Sequence, residues 1–414
     1  MTGLATTVRV LRGEGALAVR DRALDRLAEA RRRRSFTARR SAPAGFRAEE
    51  LNLIGSPPSP WLGGVQTQLL RRLEAEARER STALLYPDRG GYRLELTAGS
   101  ERTALLYLRP WSRDLTALED PVLEEAAIGG VDASGAERLH VEGLAGLPLG
   151  SLLTLARRGL RLTLALHDFA PFCPRPHLLE VPPLAFCHYS RDSLRCARCL
   201  QEDWQVEVGW QEGRRALAAE LLAAAETITY PSAFLRSTYL DLFPSLPRER
   251  QQVVKPVMAF AGVPERHVPL VPPRHVAFVG SVLPHKGALV FEEVVRRLAG
   301  ATDLRWSVYG GGDAAILAHL RRLPRVRVRG YYRSGSLPRL LARDRVDLAL
   351  LLSIVPESYG FTLSECHAAG VPVAAYDLGA LGERIRAEGS GHLLPLAAGA
   401  EGVAALLENL LAPG

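Results

Sequence analysis

Short apolar runs alternate with segments of helical periodicity along the second half of the chain. Residues 275–280 form a short, mostly apolar run, which is typical of a buried strand. Residues 288–298 follow with Val290, Val294 and Leu298 along one face, which predicts an amphipathic helix. Further strands are predicted at residues 306–309, 326–328, 347–352 and 371–375. This alternation predicts a doubly wound domain around a parallel sheet of at least five strands.

The first half of the chain shows the same α/β alternation less regularly. Strands are predicted at residues 51–54, 82–86, 92–96, 138–142, 162–166 and 226–230, and an amphipathic helix at 65–79. Residues 256–273 are rich in proline and lack periodicity, so we place a domain boundary there. The predicted organisation is a basic N-terminal extension at 1–47, an N-terminal domain at 48–258 with a cysteine-rich insertion at 173–199, and a C-terminal domain at 259–414.

The extension carries four consecutive arginines at residues 31–34, preceded by a weak helical stripe of Leu17, Leu24, Leu27 and Ala28. One interpretation is a basic amphipathic helix that lies on an anionic membrane surface. The alternative is a solvated helical extension or a flexible arm. The sequence leaves both open.

Composition and charge narrow the class of protein. Apolar residues make up 47% and charged residues 23% of the 414 residues, which is ordinary for a globular protein. A net charge of +7 indicates an anionic partner such as nucleotide phosphates, acidic lipid or nucleic acid. We expect no membrane-spanning helix and no secretory signal, and five cysteines favour a cytoplasmic location. Among 52 basic residues only Lys255 and Lys286 are lysines, which marks them as sites that need a compact ammonium.

Glu357 and Glu365 flank the loop and helix that follow the predicted strand at 347–352. Gly360 breaks the chain between them, and Gly370 ends the helix at the usual C-terminal position. Glu357 is therefore expected at the carboxyl end of a strand, where open α/β sheets bind ligands. The free amides of the helix N-terminus offer a seat for phosphate. The alternative is two solvated glutamates that flank a helix.

Three further loops carry candidate ligand-binding residues. Gly63 and Gly64 precede a helix, where glycine lets backbone amides approach a bound group. His167 follows the predicted strand at 162–166 and so lies at the ligand-binding edge. Lys286 lies in the loop after the strand at 275–280. Each signal by itself is equally typical of a structural turn, a structural histidine or a solvated lysine.

A cluster of cysteines occupies the proline-rich insertion. Its members are Cys173, Cys187, Cys196 and Cys199, the last two in C-x-x-C spacing. Four thiolates can form a closed structural zinc site or hold an iron–sulfur cluster. His177 and His188 lie nearby as substitute ligands. The alternatives are four reduced thiols or a disulfide. Cys366 stands apart and is expected in the core.

The chain resembles the retaining glycosyltransferases of family four, whose architecture is GT-B, with two doubly wound Rossmann-like domains facing across a cleft. The resemblance covers residues 50–400, is weakest between 90 and 135, and rests on four segments in the same order. They are Gly63-Gly64-Val65, His167-Asp168-Phe169 with Cys173-Pro174, Phe278-Val279-Gly280 with Lys286-Gly287, and residues 356–365 with 370–373.

The resemblance implies a role for each candidate residue. Lys286 is similar to the lysine that binds the donor diphosphate, Glu357 to the glutamate on the donor sugar, and Glu365 to the one on the ribose hydroxyls. His167 is similar to the histidine near the reacting sugar carbon. The other implied donor-binding positions are Gly63, Gly64, Gly280, Ser281, Gly360, Phe361 and Thr362. Ser281 departs from the family, which often has arginine there and so gains one phosphate contact.

The resemblance implies transfer of a sugar from a nucleotide-diphosphate sugar to an acceptor hydroxyl, in the synthesis of a cell-surface polysaccharide or glycolipid. It implies a glycan or lipid-linked acceptor, catalysis without a cofactor, and a cytoplasmic enzyme that contacts the inner face of the membrane. A nucleotide-sugar epimerase of the same architecture and a catalytically silent scaffold are alternatives. A basic nucleic-acid-binding protein is a third, although carboxylates in the ligand loop would repel a phosphate backbone, so no nucleic acid is expected.

Overall fold

The computed structural model describes residues 14–58, 64–88, 91–108, 116–258 and 273–411. The helices are α1 (Ala16–Arg34), α2 (Gly64–Glu76), α3 (Pro121–Ser134), α4 (Leu149–Arg157), α5 (Ser193–Trp204), α6 (Trp210–Ala224), α7 (Ala233–Leu242), α8 (Ala288–Arg297), α9 (Ala314–Leu320), α10 (Leu337–Asp344), α11 (Phe361–Ala369), α12 (Gly379–Glu388) and α13 (Gly399–Leu411).

The strands of the first half are β1 (Thr37–Ala38), β2 (Glu50–Leu53), β3 (Thr82–Asp88), β4 (Gly91–Ala98), β5 (Glu101–Leu108), β6 (Arg138–Glu142), β7 (Arg161–Ala165), β8 (Leu179–Glu180), β9 (Ala185–Phe186), β10 (Thr227–Tyr230) and β11 (Gln251–Val253). Those of the second half are β12 (His275–Val279), β13 (Arg305–Tyr309), β14 (Val326–Gly330), β15 (Leu348–Leu351), β16 (Val373–Tyr376) and β17 (Gly391–Leu394). Three short 3-10 helices span Arg248–Arg250, Pro284–Lys286 and Leu396–Ala398.

The chain divides into two compact units. The N-terminal unit comprises Glu29–Pro183 and Cys187–Pro256, and the C-terminal unit comprises the residues from Val257 on together with Leu184–Phe186 and the residues up to Ala28. The domain limits predicted from the sequence remain predictions. The structure adds that the first part of α1 packs with the C-terminal unit.

The N-terminal unit is built on a sheet whose described strands follow the order β1-β5-β4-β3-β2-β6-β7-β10-β11. All neighbours pair in parallel except β3 with β4 and β4 with β5, which are antiparallel. The sequence did not predict β5, whose sequence Glu101–Leu108 alternates only weakly between apolar and polar.

The C-terminal unit contains a parallel sheet with the order β14-β13-β12-β15-β16-β17 among the described residues. A core packs on each face of this sheet, because alternate residues of β12 point to opposite sides. Phe278 and Trp306 belong to one core, and Ala277 and Leu363 belong to the other. The prediction of a doubly wound domain with at least five strands is confirmed.

Helix α1 buries its acidic side rather than its leucines. Asp21 and Asp25 are 3% and 4% exposed, whereas Leu17, Leu24 and Leu27 are 38%, 42% and 55% exposed. Asp21 pairs with the buried Arg329 side chain at 2.6 Å, and Asp25 accepts a hydrogen bond from the Tyr331 hydroxyl at 2.8 Å. These partners lie at the carboxyl end of β14. A buried charge requires such a partner, so α1 is held by ion pairs.

A search of the described residues for long apolar helices finds none able to cross a lipid bilayer.

Candidate functional site

The loop that carries Lys286 is fixed against the end of β15. Gly287 ends the 3-10 helix Pro284–Lys286 with a φ of 79°. A Cβ at this glycine would collide with the carbonyl oxygen of Leu352, so no other residue fits. The backbone amide of Ile354 donates to the carbonyl oxygen of His285 at 3.0 Å. Lys286 is therefore carried on a rigid turn at the carboxyl edge of the sheet.

Glu357 is held by a second close backbone approach. Its carbonyl oxygen accepts a hydrogen bond from the amide of Ala380 at 2.8 Å, and its backbone pairs with Gly379 as an isolated parallel bridge. A Cβ at Gly379, which has a φ of 63°, would lie 2.7 Å from the Glu357 nitrogen. The loop after β15 is thereby tied to the start of α12.

Lys286 and Glu357 meet side chain to side chain. Lys286 Nζ donates to Glu357 Oε1 at 2.6 Å, with the two side chains 30% and 19% exposed. The residues are 71 positions apart in sequence, so the pair exists because two loops converge at one sheet edge. An ammonium and a carboxylate at this edge can bind a phosphate and a hydroxyl side by side.

Helix α11 begins at the same loop. Gly360 is its N-cap with a φ of 79° and offers no side chain to the free amides of the first turn, which include those of Phe361 and Thr362. Arg384 braces this turn by donating from Nη1 to the carbonyl oxygens of Tyr359 and Gly360, both at 3.1 Å. The braced helix start therefore presents free amides, the kind of position at which proteins bind anions, and sequence reasoning predicted this position without the arginine.

Glu365 lies on the second turn of α11 and is only 7% exposed. Its charge is close enough to act on Tyr332: burial, with the nearby Glu365 carboxylate, raises the pKa of the Tyr332 hydroxyl well above its ordinary value. A glutamate this buried is not the solvated helix-flanking residue of the alternative interpretation.

Gly280 and Ser281 follow β12. Gly280 has a φ of 134°, and open space surrounds the place where a Cβ would stand. Its carbonyl oxygen would collide with a Cβ at Gly310, so the loops after β12 and β13 approach closely there. Ser281 is exposed.

In the N-terminal unit, His167 follows β7 and Glu142 ends the neighbouring β6. His167 Nε2 and Glu142 Oε1 are 2.7 Å apart. The other ring nitrogen, Nδ1, is buried without a hydrogen-bond partner among the described residues. His167 is therefore oriented by a carboxylate at the carboxyl edge of its sheet.

Glu142 belongs to a network that includes His140, Glu50 and Arg72. His140 Nε2 lies 3.1 Å from Glu142, and Arg72 Nη1 lies 3.1 Å from Glu50. Burial opposes protonation of His140, but hydrogen bonds to Glu142 and Glu50 outweigh it and raise its pKa to about 9. Burial would raise the pKa of Glu50, but hydrogen bonds from His140 and Arg72 lower it to about 2. The pKa of Glu142 is likewise held below its ordinary value by His140 and His167.

This network predicts a pH-dependent stability of the N-terminal unit. Because the pKa of His140 is raised on folding, its contribution is complete below about pH 6.5 and is lost as the pH rises through about 9. The carboxylates contribute above about pH 4.5, and that contribution is lost as the pH falls toward 2. We expect the urea-unfolding free energy, followed by circular dichroism, to fall between pH 6.5 and 9.

His140→Gln should remove most of this alkaline decline. His319→Gln, on the exposed side of the C-terminal unit, is the control and should leave the decline unchanged. Equal slopes for wild type and His140→Gln would contradict the assignment.

Gly64 begins α2 and is partly buried, as the predicted loop-to-helix position requires. Gly63 lies outside the described residues. Arg72 of α2 donates hydrogen bonds to the side chains of Asn52 and Glu50 on β2, which anchors this helix to the sheet.

The structure brings the four predicted cysteine ligands around one cavity in the N-terminal unit. Among the residues described, no three or more His, Cys, Asp or Glu side chains are arranged to hold a single metal ion. His177 and His188 do not line the cavity.

Sequence reasoning missed Glu142, His140, Arg72 and Arg384. Glu142 ends a strand next to the one that His167 follows, so the rule that located His167 would also have located its partner. Arg384 has no such signal, because it lies on the helix after the next strand and reaches back.

Comparison with known proteins gives a family match over the C-terminal unit. The family model described as glycosyl transferases group 1 matches residues 273–412, which carry Lys286, Glu357 and α11. The protein is a glycosyltransferase. No curated protein sequence matches the chain.

Similar solved structures show that this glycosyltransferase has the GT-B fold predicted from the resemblance. Sucrose-phosphate synthase from Thermosynechococcus elongatus is 18% identical, with 88% of this chain and 90% of that chain covered and a TM-score of 0.59. HepE from Anabaena, solved in complex with UDP, is 13% identical, with 88% and 90% covered and a TM-score of 0.55. WaaG, a glycosyltransferase involved in lipopolysaccharide biosynthesis, is 14% identical, with 87% and 90% covered and a TM-score of 0.53.

Proposed function

We propose that the chain is a retaining glycosyltransferase of family four that moves a sugar from a nucleotide-diphosphate sugar to an acceptor hydroxyl. The observation that carries the proposal is the Lys286–Glu357 pair, 2.6 Å apart, beside the N-terminus of α11. The buried Glu365 lies one turn further along this helix and is assigned to the ribose hydroxyls.

The donor's leaving group is a nucleoside diphosphate, and negative charge grows on it as the bond to the sugar breaks. Lys286 and the amides of Phe361 and Thr362 are assigned to this charge. Such preorganised donors stabilise the transition state more than the ground state, because the charge is largest there. The protein supplies the positive charge itself, so the proposed reaction needs no cofactor.

The ion pair between Lys286 and Glu357 suits a donor that is charged at one end and neutral at the other. On binding, the ammonium turns to a phosphate oxygen, and the Glu357 carboxylate accepts hydrogen bonds from sugar hydroxyls. The two charges of the free site balance each other. The site is therefore ready for a diphosphate without a large desolvation cost from an unpaired lysine.

Retention follows if the acceptor attacks the face from which the diphosphate leaves. The bond between the sugar carbon and the diphosphate oxygen breaks with its electron pair on the diphosphate. The acceptor oxygen then bonds to the same carbon, and its proton passes to the leaving phosphate oxygen. His167, oriented by Glu142, is assigned to a position near the reacting carbon and to the sugar hydroxyls.

Two solved structures of one similar protein support the donor class. The HepE structure holds UDP, and another structure of that protein holds UDP and glucose. A nucleotide-diphosphate sugar is the donor that fits both these ligands and the geometry of Lys286 and α11.

We propose a glycan or lipid-linked acceptor, presented at the inner face of a membrane to a cytoplasmic enzyme. Leu17, Leu24 and Leu27 are exposed on α1, in helical register with the exposed Arg20 and Arg31. A face of this kind suits contact with an anionic lipid surface. WaaG, whose solved structure is similar to this chain, is a glycosyltransferase involved in lipopolysaccharide biosynthesis.

A donor panel with a stereochemical readout tests the proposal. The protein is incubated with UDP-glucose, UDP-galactose, GDP-mannose and ADP-glucose, with octyl glycosides as acceptors, and nucleotide release is measured. We expect turnover of one donor class, and proton NMR of the early product should show the anomeric configuration of the donor. An inverted product would refute retention. Failure of every donor, with no stabilisation by UDP or GDP, would refute the function.

A further inference from the structure

Four cysteines from three separate segments face one cavity of the N-terminal unit. A water-sized space of about 20 Å³ lies between them, within a wider opening of about 350 Å³ that includes solvent. Its cysteines are Cys173, Cys187, Cys196 and Cys199, and all four are free thiols. Cys173 precedes the two short strands, Cys187 follows them, and the C-x-x-C pair lies on the first turns of α5. Packing does not require several thiols to meet at one place, because a single thiol fills a small gap equally well.

Hydrogen-bond donors surround these sulfur atoms. The amide of Val181 donates to Cys199 Sγ at 3.5 Å, and Arg215 Nη2 donates to Cys196 Sγ at 3.6 Å. Backbone amides of Tyr189 and Ser190 lie within hydrogen-bonding reach of the Cys187 sulfur. Neutral thiols are weak acceptors, whereas metal-bound thiolates accept such bonds well.

The two residues that follow Cys187 have a strained backbone. His188 and Tyr189 have φ angles of 50° and 56°, in the left-handed region that non-glycine residues rarely enter. Two such residues in succession cost free energy that the surroundings must offset. Their conformation closes a tight turn in which the Ser190 amide donates to the carbonyl oxygen of Cys187 at 3.1 Å, and Cys187 lines the cavity.

Positive charge also faces the cavity. Arg175, Arg195 and Arg215 line it, and Arg215 is fixed by bonds to the carbonyl oxygens of Phe172 at 3.0 Å and Ser190 at 2.9 Å. Four thiolates on a metal centre leave a net negative charge. Arg195 already pairs with Glu180 and Arg175 with Asp203. Arg215, which has no carboxylate partner among the described residues and donates to the Cys196 sulfur, is therefore the arginine that would offset this charge.

The spread of the cysteines distinguishes a single ion from a cluster. Zinc bonds sulfur at about 2.3 Å, which brings four sulfurs to within about 4 Å of one another. No three ligand side chains in the described parts of the chain stand in such an arrangement. An iron–sulfur cluster also takes four cysteine thiolates but places its inorganic core between them, so it fits thiols that line a larger space.

We propose that Cys173, Cys187, Cys196 and Cys199 ligate an iron–sulfur cluster. The cluster has a structural role in the segment that follows His167. Gln211 and Arg214 of α6 donate to the carbonyl oxygens of Phe172 and Pro171, so the start of this segment is already anchored. The cluster anchors its remainder, from Cys173 to α5.

Metal and sulfide analysis of the full-length protein, expressed with iron and cysteine and purified without oxygen, tests the proposal. We expect iron and acid-labile sulfide in about equal amounts, with at least two of each per chain. Visible absorption should bleach on reduction with dithionite, and the reduced protein should give an electron paramagnetic resonance signal. One zinc per chain without iron would overturn the proposal, and so would metal-free folded protein that binds neither iron nor sulfide on anaerobic reconstitution.

Variants separate the ligands from the remaining thiol. Cys196→Ser should lose at least half of the iron and sulfide, whereas Cys366→Ser, in the core of the C-terminal unit, should keep wild-type amounts. If Cys196→Ser does not fold, the iron and sulfide content of the wild-type protein still decides whether the cluster exists. Equal cluster content in the two variants would overturn the ligand assignment. Binding of UDP to the C-terminal unit is independent of this result, so failure of the cluster and failure of the proposed function are distinguishable.

Discussion

Lys286→Ala should abolish stabilisation of the protein by a nucleoside diphosphate and lower kcat by about 10²–10³-fold, the usual cost of losing one charge-stabilising donor. The ammonium is the side-chain cation that contacts Glu357 at the carboxyl edge, and it is assigned to the diphosphate. A ligand at 100 times its Kd raises the free energy of unfolding by about 2.7 kcal/mol, and that increment disappears when the ligand no longer binds. Thermal shift with UDP and GDP, and turnover of the donor found in the panel, measure the two effects.

The chain supplies its own matched control for this experiment. Lys255 is the only other lysine of the sequence, and it is exposed in the N-terminal unit. Lys255→Ala should leave nucleotide stabilisation and turnover unchanged. Lys286→Arg keeps the charge but replaces a compact ammonium with a planar fork, so we expect it to recover only part of the activity. Full nucleotide stabilisation of Lys286→Ala would show that the diphosphate binds elsewhere.

The central strands of the C-terminal sheet were predictable because β12, β15 and β16 are nearly continuous apolar runs. Every residue of these three strands is buried, so the apolar pattern and the burial agree. The same reasoning placed Glu357 and Lys286 in loops at one edge, since parallel strands align their carboxyl ends. Their contact at 2.6 Å needed the structure, because loop conformation is set by close approaches such as that of Gly287 to Leu352.

The network around His167 was harder to predict. The strand-end rule would have located the position of Glu142, but a hydrogen-bonded glutamate at that position looks the same in sequence as a solvated one. Glu142 is distinguished from a solvated glutamate by its ion pairs with His140, on the same strand, and with Arg72 of α2. Only the folded arrangement turns these charges into a hydrogen-bonded group.

The packing of α1 could not be predicted from the sequence for a different reason. Its leucine stripe indicated a membrane-surface helix or a solvated extension, and Leu17, Leu24 and Leu27 are exposed, but neither interpretation placed a face of the helix in a protein core. The buried face consists of acids whose partners lie about 300 residues away, such as Arg329 for Asp21. Hydrophobic periodicity carries no information on ion pairs between distant segments, so the location of this helix could not be derived from its own sequence.

Asp21→Ala should destabilise the C-terminal unit by about 3–5 kcal/mol, the usual cost of leaving a buried charge without its partner. The Arg329 side chain is 4% exposed and donates to Asp21 at 2.6 Å. After the substitution it keeps one hydrogen bond among the described residues, from Nη1 to the carbonyl oxygen of Tyr331. An unpaired guanidinium cannot lose its proton to escape the penalty, because its pKa is too high. Hydrogen exchange of peptides covering β13 and β14 measures the local loss, since a two-unit protein need not unfold in one step.

Two comparisons isolate the buried pair from the general effect of removing a charge. Arg274→Ala breaks the exposed pair with Asp303 in the same unit, and it should cost at most about 1 kcal/mol because solvent screens that pair. The double substitution Asp21→Leu with Arg329→Met removes both charges and should recover most of the stability, since two apolar side chains leave nothing unpaired. A double variant as unstable as Asp21→Ala would mean that α1 is held by its shape rather than by its charges. Recovery would instead establish that burying acids on an arginine at the carboxyl end of β14 is what attaches the N-terminal helix to the C-terminal unit.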